Sequence, residues 1–107
     1  MSADGRAAGG GGSGVDLLAH DDCDHVAVAV RDVPAGDVRV AWLSSEQRRS
    51  LEASDSIPFG HKMALADLAE GDEVVEYGVR IGVATRPIHR GELVHTHNIR
   101  SARWQTN

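Results

Sequence analysis

The chain is poor in cysteine and in aromatic residues. Among its 107 residues there is one cysteine, Cys23, with two tryptophans, one tyrosine and one phenylalanine. A single cysteine excludes an intramolecular disulfide and a thiolate metal cluster, and it fits a reducing cytoplasm. With so few aromatic side chains, the core must be built mainly from aliphatic residues.

Long apolar runs are also missing. No stretch approaches the length that spans a bilayer, and the N-terminus lacks the charged and apolar regions of a signal peptide. We therefore expect a cytoplasmic protein with no membrane partner. The formal net charge of -5, from 16 acidic and 11 basic residues, gives no overall attraction to nucleic acid, so none is expected as a partner.

The length allows one domain. The glycine-rich residues 1–14 are predicted to form a disordered tether, and residues 15–107 to form the folded domain. A domain of this size has a modest core and rarely holds both a deep pocket and a complete catalytic apparatus. A binding module or an enzyme subunit is therefore favoured over a self-sufficient enzyme.

Short β-branched and apolar stretches dominate the domain. They predict strands at residues 26–30, 38–43, 73–77, 79–84 and 93–99. The pattern from Ser45 to Ala53 predicts a short helix, and residues 63–68 predict a single helical turn. The predicted class is mainly β, with short strands and one or two short helical turns.

One pattern occurs three times, at residues 29–40, 64–75 and 84–95. Each copy has an alanine, then an aliphatic residue, then a glycine followed by aspartate or glutamate. Glycine supplies the positive φ that such a turn requires, at Gly36, Gly71 and Gly91. The repeat predicts a compact arrangement of short strands, and it concerns the fold rather than the chemistry.

Several motifs resemble one known family. They are residues 57–65 (IPFGHKMAL), residues 91–98 (GELVHTHN), residues 77–78 and 81–85 between them, and the opening His20 with residues 26–29. Together they resemble the SAF domain at the start of altronate and galactarate dehydratases. The resemblance implies a β-clip fold. It also implies a small subunit, or a detached N-terminal domain, of a lyase that removes water or, as in sulfolactate sulfo-lyase, sulfite from a hydroxy acid.

The resemblance further implies partners and a cofactor. A large catalytic subunit would complete the site around the hydroxy-acid substrate, and this chain would be inactive alone. A divalent metal, iron or manganese, would be held mainly by that partner. A homo-oligomer is also compatible with the resemblance.

The polar residues of these motifs are the candidates for the site. They divide into a predicted catalytic set and a predicted substrate-binding set: His61, Lys62 and His97 in the first; Gly60, His95, Asn98 and His20 in the second. Elimination needs a base, stabilisation of the developing enediolate and an acid, part of which imidazole and ammonium groups can supply. On a strand, His95 and His97 would share one face and could reach one ligand, including a metal ion.

Two less specific interpretations stay open at this point. The histidines could be a hydrogen-bonded pair on a half-exposed strand, and residues 60–62 an exposed polar turn. A non-catalytic SAF module that binds carbohydrate or peptide is the alternative function. The lyase interpretation requires the loops that carry His61 and His97 to meet at one rim.

Overall fold

A computed structural model describes residues 14–101. The predicted tether lies outside this range except for Gly14, as do residues 102–107 of the predicted domain. Within the described range there is no helix, and so none that is long and apolar enough to span a membrane. Nine short strands make up the fold: β1 (Leu17–Ala19), β2 (Val26–Ala29), β3 (Gly36–Trp42), β4 (Arg48–Ala53), β5 (Lys62–Ala64), β6 (Glu73–Glu76), β7 (Val79–Ala84), β8 (Leu93–Val94) and β9 (Ile99–Ser101).

The strands form two sheets. The larger sheet has the order β4-β3-β1-β2-β5-β8, and the smaller has the order β6-β7-β9. Strands β1 and β3 run parallel, whereas the other strand pairs are antiparallel. The prediction of a mainly β fold is confirmed, and the predicted helical turns are wrong for the described residues.

Residues 45–53 illustrate that error, because a hairpin turn and a strand replace the predicted helix. Strand β4 pairs with β3 along its whole length, and Glu46 adopts φ 59° in the turn before it. Pairing with a strand that is already half-buried outweighs the weak helical preference of this polar segment. Met63 and Ala64 likewise lie in β5 rather than in a helical turn.

The predicted strand at residues 93–99 is in fact two strands. Strand β8 ends at Val94 and β9 begins at Ile99, and they belong to different sheets. A turn at residues 95–98 separates them. Because this turn carries three of the candidate site residues, strand alternation does not set the directions of their side chains.

The core lies on both faces of the larger sheet. Adjacent residues of a strand point to opposite faces, so Ala27 and Val26 enter different clusters. Ala27 packs in the cluster that contains Leu17 and Met63, whereas Val26 packs in the cluster that contains Val74 of the smaller sheet. The smaller sheet therefore covers part of one face of the larger sheet.

In the described residues, the same turn occurs four times, three times with the acidic residue after glycine and once, at Gly60, without it. Each copy has a buried aliphatic residue three positions before a glycine with positive φ: Val33 and Gly36, Ile57 and Gly60, Leu68 and Gly71, Ile88 and Gly91. The copies join in pairs through reciprocal backbone hydrogen bonds, Val33 with Ile57 and Leu68 with Ile88. The copy missed in the sequence, residues 53–60, leads directly into the segment that carries His61.

Candidate functional site

His61 and His95 stack on one another at the edge of the larger sheet. Strands β5 and β8 are antiparallel with Lys62 opposite Val94, so the same register continued by one residue sets His61 opposite His95. Side chains of directly opposed residues are close enough to touch. The ring centroids are 5.2 Å apart and the ring planes differ by 26°. The two motifs, distant in the chain, therefore meet at one rim.

The turn before β5 orients the His61 ring. Gly60 has φ 81°, and its N–H donates to the carbonyl oxygen of Ala29 at 2.9 Å, so this N–H is used inside the fold. Nδ1 of His61 lies 3.3 Å from the carbonyl oxygen of Phe59. Since a carbonyl oxygen can only accept, this contact is a hydrogen bond when Nδ1 carries the proton. In that tautomer of neutral His61, Nε2 is unprotonated and can accept a hydrogen bond or a proton.

His95, His97 and Asn98 lie in the turn after β8. Nδ1 of His95 is 3.2 Å from the hydroxyl oxygen of Thr96, and His97 is exposed. The expectation that His95 and His97 share one face of a strand is therefore wrong. Asn98 is buried; its Oδ1 accepts the N–H of His95 in the same turn, and its Nδ2 donates to the carbonyl oxygen of Leu93 in β8.

Lys62 points away from the histidine pair. As the next residue along the chain, it faces the opposite side of the sheet from His61. Its Nζ lies 3.8 Å from Oε1 of Glu76, whose side chain is 13% exposed. Burial raises the pKa of Glu76 above its ordinary value, more strongly than Lys62 lowers it, and the charge of Asp24 adds to the increase. Lys62 and Glu76 thus form a loose ion pair on the other face.

A groove of about 180 Å³ lies beside this ion pair. It follows the part of the sheet face that the smaller sheet leaves uncovered, and both apolar and polar side chains line it: Leu18, Ala19, His20, Asp24, Val26, Val28, Val30, Leu43, Glu76 and Tyr77. The rings of His20 and Tyr77 are 4.6 Å apart. His20, predicted to bind substrate with the other histidines, therefore belongs to this groove rather than to the rim formed by His61 and His95.

Asp24 holds the turn that carries His20. Its Oδ2 accepts the N–H groups of His20 at 3.0 Å and Asp21 at 3.1 Å, and its Oδ1 accepts that of Gly78 at 3.2 Å. Burial acts to raise the pKa of Asp24, but the backbone hydrogen bonds outweigh it and hold that pKa below its ordinary value. Nδ1 of His20 lies 3.2 Å from Oδ1 of Asp21, an electrostatic contact that lacks hydrogen-bond geometry.

Asp24, Glu76 and Tyr77 were not among the predicted site residues. Glu76 and Tyr77 lie at the tip of a predicted hairpin, outside the core. A carboxylate and a phenol at such a tip are a signal that could have identified them. Tyr77 also adopts φ 59°, which is uncommon for a residue with a side chain. Asp24 gave no comparable signal, because it is one of four acidic residues close together in the sequence at 16–24.

The described residues do not form a complete metal site. His61 and His95 supply two imidazoles without a neighbouring carboxylate. Asp21, Cys23 and Asp24 bring ligand atoms within 4.8 Å of one another, but both carboxylate oxygens of Asp24 already accept backbone N–H groups. A divalent metal at the rim would therefore need ligands from another chain.

The two small sheets, the paired glycine turns and the facing histidine loops define a SAF domain of the β-clip type. Residues 15–102 match the family described as altronate/galactarate dehydratase SAF domain. The chain belongs to this family.

Relatives in this family are lyases and dehydratases. The chain is 41% identical over 92 residues to the (2R)-sulfolactate sulfo-lyase subunit alpha of Chromohalobacter salexigens, which covers 84% of this chain and 98% of that subunit. It is 38% identical over 78 residues to the altronate dehydratase of Bacillus subtilis, 73% of this chain and 15% of that enzyme. It is 37% identical over 75 residues to the galactarate dehydratase (L-threo-forming) of Escherichia coli, 68% and 13% respectively. The match thus spans nearly all of the subunit alpha and a small part of each dehydratase.

Proposed function

We propose that the chain is the small subunit of a hydroxy-acid lyase and that the reaction is elimination of sulfite from a sulfonated hydroxy acid. The His61–His95 pair carries this proposal, because the fold brings together two imidazoles from separate loops at an open edge. The similarity to a (2R)-sulfolactate sulfo-lyase subunit alpha along nearly all of its length supports sulfite, rather than water, as the leaving group.

The chemistry suits an incomplete site. Elimination next to a carboxylate needs a base for the α-proton, charge stabilisation for the enediolate and help for the leaving group. When Nδ1 of His61 carries the proton, Nε2 is an acceptor of the kind that a base requires, and the His95 ring lies against the His61 ring. His95 is exposed and His61 is only half-buried, so we propose that a second polypeptide closes the site. That polypeptide is the large catalytic subunit, and the chain alone is inactive.

We place the divalent metal, iron or manganese, in the large subunit. The described residues lack a complete ligand set, which supports that placement. A catalytic role for Lys62, which lies on the opposite face, stays a prediction. The assembled enzyme is proposed to be cytoplasmic, in keeping with one free cysteine.

The test is purification of the tagged chain with its partner from the source cells. The complex, and each polypeptide alone, would be incubated with (2R)-sulfolactate, altronate and galactarate in turn. Release of sulfite from (2R)-sulfolactate by the complex alone is the expected result. If the complex instead removes water from altronate or galactarate, the chain is still a lyase subunit, but the proposed substrate and leaving group are wrong.

The groove beside Tyr77 favours one alternative, a non-catalytic module that binds carbohydrate or peptide. Its volume of about 180 Å³ and its aromatic rim suit a small sugar. That function predicts binding of a sugar or peptide by the chain alone, with no associated lyase activity. Equilibrium binding measured by calorimetry on the isolated chain separates the two functions.

A further inference from the structure

Three turns of this fold use the same pair of reciprocal hydrogen bonds. In each, the side-chain oxygen of an Asp or Asn accepts the backbone N–H of the residue three positions earlier, and its own N–H donates to the carbonyl oxygen of that residue. The pairs are Asp21 with Asp24, Ala69 with Asp72, and His95 with Asn98. The turn at residues 95–98 contains two candidate histidines, His20 directly precedes the turn at residues 21–24, and the turn at residues 69–72 has no candidate histidine in it or beside it.

Asn98 differs from the two aspartates in what its side chain does. Its Oδ1 accepts the N–H of His95 at 2.9 Å, and its Nδ2 donates to the carbonyl oxygen of Leu93 at 2.8 Å. A carboxylate could make the first of these bonds but not the second. Asn98 is also 1% exposed. Its amide therefore links the end of β8 to the backbone of His95 and is shielded from any substrate at the rim.

The backbone of His95 depends on these bonds. Strand β8 has two residues, so its ladder alone fixes little of the chain that follows. The carbonyl oxygen of His95 accepts the N–H groups of Asn98 and Ile99, both at 3.0 Å, and its N–H is taken by the Asn98 side chain. Asn98 thus makes two of these three hydrogen bonds to the His95 backbone, one through its side-chain oxygen and one through its backbone N–H.

We propose that Asn98 is a positioning residue that holds His95 in contact with His61, and not a group that binds substrate. The expected effect of this role on the reaction rate rests on the proposed function. A displacement of about 1 Å at a catalytic group can cost about 100-fold in rate. Loss of the amide should therefore lower catalysis although Asn98 never touches the substrate.

The first test uses the full chain by itself. In Asn98→Ala, proton NMR should show loss of the nuclear Overhauser contacts between the His61 and His95 rings, while circular dichroism still shows the β fold. Asp72→Ala removes the same type of turn bond where no histidine follows, and it should leave those ring contacts unchanged. Ring contacts that persist in a folded Asn98→Ala chain overturn the proposal.

A second variant keeps the test decisive if Asn98→Ala does not fold. Asn98→Asp retains the oxygen that accepts from His95, but its second oxygen faces the carbonyl oxygen of Leu93, which cannot donate, so this variant should also weaken the ring contacts. Ring contacts in Asn98→Asp equal to those of the unmodified chain would show that the link to Leu93 has no positioning role.

The kinetic test uses the complex with the large subunit. Asn98→Ala should lower kcat by about 10- to 100-fold with a smaller change in KM. In a His95→Ala background the same substitution should have almost no further effect, since a positioning residue acts through the group it holds. Equal losses in both backgrounds would overturn the proposal. Absence of lyase activity in the unmodified complex would overturn the proposed function instead, and the NMR result would still decide whether Asn98 positions His95.

Discussion

The imidazole rings of His61 and His95 lie 5.2 Å apart because the register of β5 and β8, continued by one residue, sets these positions opposite each other. Neither strand exceeds three residues. The contact therefore depends on the turn before β5 and the turn after β8 as much as on the strands themselves. His95 is exposed and His61 is half-buried, and neither belongs to the core clusters, so removal of the pair should affect chemistry more than folding.

Substitution of the pair should lower activity without unfolding the domain. His61→Ala and His95→Ala are each expected to reduce kcat of the assembled complex by about 100-fold or more, the usual contribution of a proton-transfer group. The double variant should lose little beyond either single one, because the two groups act as a unit. Unfolding free energies should stay within about 0.5 kcal/mol. His89→Ala, at an exposed histidine outside the rim, is the control, and equal losses there would contradict the assignment.

Asp24 should make the fold sensitive to acid. Its pKa in the fold lies below the ordinary value of 3.8, so the folded state binds this proton less tightly than the unfolded chain does. The resulting stabilisation is complete above about pH 4 and is lost as the pH falls through the lowered pKa. Asp24→Asn should flatten this acid limb and cost about 2 kcal/mol at neutral pH, since the amide presents a donor to backbone N–H groups. Thermal unfolding between about pH 2 and 7 measures both effects, with Asp22→Asn as the exposed control.

Much of the fold was predictable from local pattern. The run at residues 26–30 contains a strand because an unbroken aliphatic run suits a sheet with two buried faces, and the two stretches around Gly78 became a pair of partly exposed strands. The polar segment from Arg48 to Ala53 was not predictable as a strand. Its conformation is decided by the partner strand β3, a contact that no local pattern encodes.

The candidate site was predictable in its residues and less so in its grouping. The motifs named His61, His95 and Lys62, but alternation along a strand, which separates Lys62 from His61, becomes meaningful only once the strand is known. The treatment of residues 93–99 as one strand gave His97 a wrong direction. The missed Glu76 reaches Lys62 from the other sheet, a tertiary contact that the sequence does not show.

Two glycines of nearly equal φ should respond differently to alanine. Gly71 has φ 92° and open space around the position of a Cβ atom, so Gly71→Ala should cost about 1–2 kcal/mol for the left-handed backbone alone. Gly91 has φ 97°, but a Cβ atom there would overlap the carbonyl oxygen of Glu52. Gly91→Ala should therefore cost at least about 3 kcal/mol, with the turn displaced from β4. Urea unfolding at one pH compares them, and equal costs would show that the close approach to Glu52 relaxes freely.

Glu76 should make stability fall as the pH rises, the opposite of Asp24. Its pKa in the fold lies above the ordinary value of 4.5, so the folded state holds the proton more tightly than the unfolded chain, and stability declines as the pH passes from 4.5 through the raised value. Glu76→Gln removes this decline. Above the raised pKa of Glu76, its free energy of unfolding should exceed that of the unmodified chain. Lys62→Met removes a positive charge that lowers the pKa of Glu76, so it should raise that pKa further and deepen the decline. Urea unfolding between about pH 4 and 8 measures all three chains. A Glu76 titration that is unchanged in Lys62→Met would show that Lys62 lies too far away to act on this carboxylate.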